Sequence, residues 1–440
     1  MPAARSFALL GLVTALLLVA FLDVRLAWAA LGLDAVIVLA AVVDFRRAAA
    51  TPLQAERTWP PLLVQGAPAE INVSVETASP RRVTVLLREG LHAGVAESPI
   101  RRLVEISGPG EIRWTYTLVP RRRGEHRLAP LSARVLGPWK LAWAQRDLLP
   151  GDAVRVYPQV RWEGKVGQLL TQAQRQRMGQ IPLRLHGAGT EPYALREYLP
   201  GDPLAKIHWK ATARHGRPVS REDTWERSAR LVVLLDCART MASLDSRRSK
   251  LDYALAAALA LTRVAAGRGD RVTLLAFAER VLRTVRVRSG GRGASQAYAA
   301  LYDVEARLVE PAYDLAAEAV AGLESRSATI VLFTSVVDLA AAELLKESLL
   351  SLGRRHRALL VNLEDPELRA LASNEPADPA QAFAQVASLE ILLANRRLAR
   401  HLRRGGVRVV SSPADRLALE ALEAYLAFYS RAGASAAARP

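Results

Sequence analysis

From Arg230 onward the chain alternates short unbroken apolar runs with helical stretches, and this alternation leaves few folds open to it. Leu231-Val232-Val233-Leu234-Leu235 is apolar on both faces, so a strand built from it must be buried on both sides. Comparable runs occupy 271–276, 328–333, 357–363 and 407–410. Leu and Ala at helical spacing fill 250–266, and further helices are predicted at 294–307, 339–352, 380–404 and 413–431. Strands alternating with helices predict an α/β domain over 230–431, a doubly wound parallel sheet, with 432–440 expected to fray. Ligands of such sheets bind at the C-terminal strand ends. Asp236, Phe277 and Thr334-Ser335 fall there.

Upstream the rhythm changes. Residues 69–75, 82–87 and 111–119 alternate apolar with polar, and Pro and Gly punctuate the gaps. That pattern predicts an antiparallel β-sandwich-like domain over 48–160, a scaffold without evident chemistry. Residues 161–182 are polar and rich in Gln and Arg, as in a linker or an exposed helix.

The N-terminus carries two apolar runs. Residues 7–22 are unbroken, and 26–43 are interrupted only by Asp34. Spanning a bilayer takes about 20 apolar residues per helix, so a tight transmembrane helical hairpin over 1–47 is predicted. Arg5 precedes it, and Arg46, Arg47 and Arg57 follow it. The positive-inside rule then places both ends, and everything beyond residue 48, on the cytoplasmic side of the inner membrane. A signal peptide cleaved near Ala27-Trp28-Ala29 is the competing reading, opposed by the second apolar run that follows directly. Asp34 either pairs with Arg25, sits at the outer interface, or has a role within the membrane.

The net charge of +17 suits an anionic neighbour: lipid headgroups, an acidic protein or nucleic acid. The Arg residues are scattered, as on a solvated surface beside anionic lipid. One candidate basic patch, Arg400, His401, Arg403, Arg404 and Arg408, lacks the interleaved aromatics of a single-strand binder, which disfavours nucleic acid. A mean hydropathy of +0.08 excludes a polytopic membrane protein. The single cysteine, Cys237, allows no internal disulfide, and its place at a strand end suits a buried small residue better than a nucleophile. No G-x-x-x-x-G-K-[ST] occurs, so any ATP-driven work would come from another chain.

Between linker and sheet lies LREYLPGDPLAKIHWKATAR, residues 195–214. Its R-E-Y, P-G-D and I-x-W-K-x-T-A-R elements closely resemble the signature of domain-of-unknown-function family 58 (DUF58). The matching residues include Arg196, Glu197, Tyr198, Pro200, Gly201, Asp202, Ile207, Trp209, Lys210, Thr212, Ala213 and Arg214. His208 stands where the family usually has Asp, Lys206 where Arg is common, and Tyr193 where Phe is frequent. The resemblance covers nearly the whole chain and implies a membrane protein with a von Willebrand factor type A-like domain. It also implies a partner, a MoxR-type AAA+ ATPase acting in complex assembly. Physically, Arg196, Glu197, Asp202, Lys210 and Arg214 can form a buried or half-buried ion-pair network anchored by Trp209. Such a network would dock domains; an open arrangement would bind a partner through Arg and Trp.

Type A domains often hold a divalent cation through D-x-S-x-S, a loop Thr and a later Asp, and oxygen ligands of this kind suit Mg²⁺. Here the first motif is Asp236-Cys237-Ala238-Arg239-Thr240. Asp236 and Thr240 are in place, Ala238 has no ligand atom, Ser335 replaces the later Asp, and Asp338 lies beyond it. No convincing loop Thr exists, although Ser295 is nearby. The site is degenerate, and no cofactor is expected. Asp236 would instead cap the following helix or pair with Arg239. The expectation is therefore a non-enzymatic scaffold or adaptor; a metal-dependent enzyme or ligand-binding protein is the alternative.

Overall fold

The computed structural model of the chain describes residues 3–19, 24–90, 100–160, 167–168, 191–198, 207–224, 229–242, 244–245, 248–288, 291–337 and 339–437. The Gln-rich segment at 161–182 falls almost wholly outside them. The chain divides into two compact units, 1–159 and 160–440.

The first unit opens with helices α1 (Ala4–Val19) and α2 (Val24–Ala49). Ten strands follow: β1 (Leu53–Thr58), β2 (Leu63–Val64), β3 (Ala69–Thr77), β4 (Val83–Glu89), β5 (Ile100–Ile106), β6 (Gly110–Leu118), β7 (Gly124–Arg127), β8 (Leu131–Leu136), β9 (Trp143–Leu149) and β10 (Ala153–Tyr157). They form sheets of order β1-β3-β6, β5-β4-β8-β9 and β2-β10-β7. The first two sheets are antiparallel throughout. Alternate residues point inward: Ile71, Val73 and Val75 of β3 share one core with Val85 and Leu87 of β4 and with Trp114 of β6. The period of two in the sequence is thus the inside and outside of a sheet.

The sequence sets residues 1–47 apart as their own domain, but the helices and the β region form one unit because their ends are tied. Asp44 is fully buried. Its carboxylate accepts the backbone N–H groups of Trp139 (2.8 Å), Leu141 (2.8 Å) and Ala142 (3.1 Å). A Cβ on Gly137 would lie 2.2 Å from that carboxylate, so only glycine fits. The guanidinium of Arg47 stacks 4.7 Å from the Trp139 ring centroid. At the other end, Ala3 N–H donates to Leu141 O (2.8 Å), and the Ser6 hydroxyl donates to the same oxygen (2.9 Å). The start of α1 and the end of α2 therefore meet one turn at 137–142. Among the described residues one segment, Trp28–Ala49, is long and apolar enough to cross a membrane, and only 11% of its most apolar window is buried within the protein. Helix α1 has 16 residues, about 24 Å. Residues 20–23 lie outside the described residues. Asp34 Oδ1 is buried without a hydrogen-bond partner.

The second unit begins with β11 (Glu191–Glu197), α3 (Trp209–His215) and β12 (Val219–Thr224). Then come β13 (Arg230–Asp236), a 3₁₀ turn (Arg239–Met241), a small hairpin of β14 (Leu244–Asp245) and β15 (Arg248–Ser249), and α4 (Lys250–Arg268). The chain continues through β16 (Arg271–Phe277), β17 (Val281–Val287), α5 (Gly291–Leu301), α6 (Tyr313–Leu323), β18 (Thr329–Thr334) and α7 (Leu339–Gly353). It ends with β19 (Arg357–Leu363), α8 (Pro366–Ser373), α9 (Pro379–Arg404), β20 (Arg408–Ser412) and α10 (Leu417–Ala437). The six-stranded sheet has the order β17-β16-β13-β18-β19-β20. Its pairings are parallel except at the β17 edge. Leu231, Val233 and Leu235 pack with residues of α4, α5 and α10, whereas Val232 and Leu234 pack with residues of α6, α7 and α9. Helices on both faces explain why β13 has no polar side.

Helix α4 shows how local signals set an element. Ser249 accepts from Asp252 N–H (3.2 Å) while Asp252 accepts from Ser249 N–H (3.0 Å), a capping box. Gly269 ends the helix at φ 91°, a left-handed conformation that glycine adopts freely. Helices α6 and α8 and the hairpin of β11 and β12 have no counterpart in the sequence reading. Helix α10 continues to Ala437 where fraying from Ala432 was expected; Ala432, Ala434, Ala436 and Ala437 are strong helix formers.

Candidate functional site

The family-like segment folds on itself. Strands β11 and β12 pair antiparallel, with Arg196 opposite Ser220 and Glu197 opposite Val219. Tyr198 N–H donates to Pro218 O (2.9 Å), and His208 N–H donates to Val219 O (2.8 Å). Ile207 bridges to Ser220. Thr212 Oγ1 accepts Val219 N–H at 3.0 Å, tying α3 back to β12. His208 caps α3 by accepting Ala211 N–H on Nδ1 at 3.1 Å. Asp, the residue the resemblance leads one to expect at 208, is a preferred N-cap; the imidazole does the same work as an acceptor. Gly216, at φ 67°, closes the helix.

The seven-residue helix has room for one inner face, taken by Ala211 with Ile207 beside it. Trp209 is consequently 70% exposed, and Lys210 and Arg214 are exposed with it. This corrects the expectation that Trp209 anchors a buried or half-buried ion-pair network: the indole stands in solvent, and the side chains of Arg196, Glu197 and Asp202 lie outside the described residues. Arg196 and Glu197 are placed on β11 by backbone pairing. Gly201 and Asp202 lie outside the described residues, as do Pro200 and Lys206.

The second candidate lies at the C-terminal ends of β13 and β18. Asp236 is fully buried. Its Oδ1 accepts Ala238 N–H (2.8 Å), and its Oδ2 accepts the hydroxyls of Thr334 (2.6 Å) and Tyr313 (3.2 Å). The two hydroxyls also touch each other at 3.0 Å. Burial pushes the Asp236 carboxyl up, against the hydrogen bonds from Thr334, Ala238 and Tyr313. Burial, with the nearby carboxylate, also pushes the Tyr313 phenol well above its ordinary range. Arg239 does not pair with Asp236; it reaches Glu310 at 2.8 Å, because the chain turns outward after Ala238. No α-helix starts at Asp236, and the 3₁₀ turn at 239–241 carries no side-chain cap; Asp236 Oδ1 instead holds the Ala238 N–H just before that turn. Cys237 is fully buried, with Sγ 3.6 Å from Leu235 O.

Among the described residues of this site, Asp236 is the one carboxylate a divalent cation would meet. An ion such as Mg²⁺ takes about six oxygen ligands, of which usually one or two are carboxylates and several are waters. Three donors already occupy the Asp236 oxygens. The Ser335 hydroxyl donates to Leu363 O at 3.0 Å, and Ser295 is exposed on α5. Thr240 Oγ1 is buried without a partner, a single neutral donor. Asp338 lies outside the described residues, and among the described residues no three His, Cys, Asp or Glu are grouped to hold a metal ion. Tyr313 was the member of this cluster missed in the sequence. It opens α6, a helix whose short Ala-rich run gave no warning.

Residues 194–412, about half the chain, match the model of the family described as "Protein of unknown function DUF58", and the chain belongs to this family. Uncharacterized proteins of Mycobacterium tuberculosis and Mycobacterium bovis are each 31% identical over 113 residues, or 26% of this chain. The match spans 34%, about a third, of the length of those relatives. Among solved structures, the SpRpn10 VWA domain aligns over 42% of this chain and 89% of its own, with 12% identity and a TM-score of 0.26. A CARDB domain of a Pyrococcus furiosus protein aligns over 24% of this chain and 93% of its own, with 17% identity and a TM-score of 0.19. The architecture given above rests on the strand pairings themselves.

Proposed function

We propose that this protein is a membrane-anchored scaffold or adaptor that binds protein partners through the open face of α3 and carries out no chemistry of its own. The observation that carries this reading is Trp209, 70% exposed and flanked by the exposed Lys210 and Arg214. An isolated, uncovered Trp beside two cations is the composition of a binding hot spot. The partner we propose is a MoxR-type AAA+ ATPase working in complex assembly or maturation, with ATP turnover on that second chain. Trp28–Ala49 would anchor the protein in the inner membrane beside anionic lipid, with Arg46 and Arg47 at the cytoplasmic face and both termini on that side. The Asp44 clamp would then hold the β domain against the membrane surface. The alternative, a metal-dependent enzyme or ligand-binding protein using Asp236 and Thr240, is disfavoured by the two hydroxyls already bonded to Asp236 Oδ2.

The test is affinity purification of tagged, detergent-extracted full-length protein from its host, with and without ATP, read by mass spectrometry. Recovery of an AAA+ ATPase that falls away in Trp209→Ala or Arg214→Ala supports the reading. Its absence from folded bait under both conditions sinks the partnership.

A further inference from the structure

Helix α9 carries an apolar face on its outer side. Phe383 is 78% exposed, Val386 55%, Leu389 43% and Leu393 48%. At 3.6 residues per turn these four fall within about a third of the helix circumference. Ser388, Leu398 and Leu402 are buried on the opposite side, where the leucines join the sheet core. A surface helix ordinarily turns polar residues outward here, so the stripe, broken by the exposed Glu390, is a second, largely apolar face on a helix already packed by its first.

Charge is divided along the same helix. Glu375 and Asp378 are exposed at its N-terminal approach. Arg397, Arg400 and Arg404 are exposed at the other end, on the same face as the stripe, and none of the three forms an ion pair with a described residue.

We propose that this face is the contact between two copies of the chain, α9 against α9 and antiparallel. A two-fold axis through the middle of the stripe sets Phe383 of one copy near Leu393 of the other and Val386 near Leu389. The same rotation brings Glu375 and Asp378 of each copy beside Arg397 and Arg400 of the other. Parallel pairing would set arginine against arginine. A foreign acidic helix would satisfy the arginines but leave Glu375 and Asp378 facing like charge. The antiparallel self-pair matches both ends with residues this chain itself carries, and its two-fold symmetry closes the assembly at a dimer. This inference is independent of the α3 surface and of its partner.

The test is the light-scattering mass of the full-length protein in detergent, measured across a dilution series, with unfolding curves as a control on fold. The wild type should be a dimer that dissociates on dilution. Phe383→Glu should raise the dissociation constant about tenfold or more, while Phe383→Leu stays near wild type. Arg397→Glu with Arg400→Glu should weaken the dimer, and adding Glu375→Arg should restore part of it. Asn374 O accepts from Gln385 Nε2 at 2.9 Å, so Glu375 lies beside the first turns of α9 while Arg397 is about 18 Å further along the helix at 1.5 Å per residue, and such rescue arises only between copies. A folded wild type that is monomeric throughout overturns the proposal. So does a dimer indifferent to Phe383→Glu, as would be seen if the N-terminal helices alone associated, or charge reversal without rescue.

Discussion

The Asp236 cluster and the α3 face both gather polar and aromatic residues that look functional in a sequence, and they differ in their relation to water. Asp236, Thr334 and Tyr313 are sealed and satisfy one another. Trp209, Lys210 and Arg214 are open, while the groups that hold their helix in place, His208 and Thr212, are the ones engaged. A sealed polar cluster contributes to folding, because any broken bond leaves an unpaired group in a low-dielectric interior. An open one contributes little to folding and is available to a partner. Sealed and open polar groups separate on the scale of stability.

The largest loss should come from Asp236→Ala, which strips acceptors from two hydroxyls and a backbone N–H in the core. Denaturant unfolding should show a loss of about 3 kcal/mol. A loss near zero would break the comparison by showing that water reaches the site. Asp44→Ala should follow, at about 2 kcal/mol, since three backbone N–H groups depend on that carboxylate. The N-terminal unit should also become more sensitive to protease around 137–142.

The pH dependence comes next, and here two acids should act with opposite signs. Lys250 lies 2.6 Å from Asp365. Burial is the largest influence on the Asp365 carboxyl and pushes it up, but Lys250 and the Leu368 and Glu367 N–H groups together hold it below the usual range. Its contribution is therefore full above the unfolded value of about 4 and disappears as the pH falls through the folded one. Asp236, raised by burial, stabilises fully below about 4 and loses that contribution as the pH rises toward its higher folded value. Asp365→Asn should flatten the acid limb of the stability profile, by about 1 kcal/mol for a partly exposed pair. Asp236→Asn should flatten the limb above it.

Trp209→Ala should change stability by less than about 0.5 kcal/mol yet lower partner recovery at least about tenfold. A large stability loss would mean that the indole is covered in the folded protein. The smallest effect is expected from Mg²⁺ or a chelator, with no movement of the unfolding midpoint; a stabilising shift that Asp236→Ala abolishes would restore the cation reading.

Much of the fold was legible because burial on two sides leaves a local trace. The run 231–235 needs no polar residue, and it became the central strand β13. Alternation at 69–75 likewise marked β3, whose every second side chain is inside. Strand β17 was not visible: its sequence, VLRTVRV, mixes arginines into a partly exposed sheet edge and buries only Val285 and Val287, a pattern shared with many surface segments. The residue types that draw attention, Trp209, Lys210, Arg214 and Asp236, stand out in the chain alone.

Their environments do not. Trp209 in a polar segment is compatible with an anchor or a free surface, and only the register of Ile207 and Ala211 against β12 turned it outward. Asp236 at a strand end is compatible with a cation site or a hydrogen-bonded plug, and the outcome depended on Tyr313 and Thr334, 77 and 98 residues away. The sequence by itself determined which segments must be buried, because hydrophobic periodicity is a property of neighbours along the chain. Only the tertiary structure decided which polar groups meet and which face water, because those contacts join residues whose separation carries no local signal.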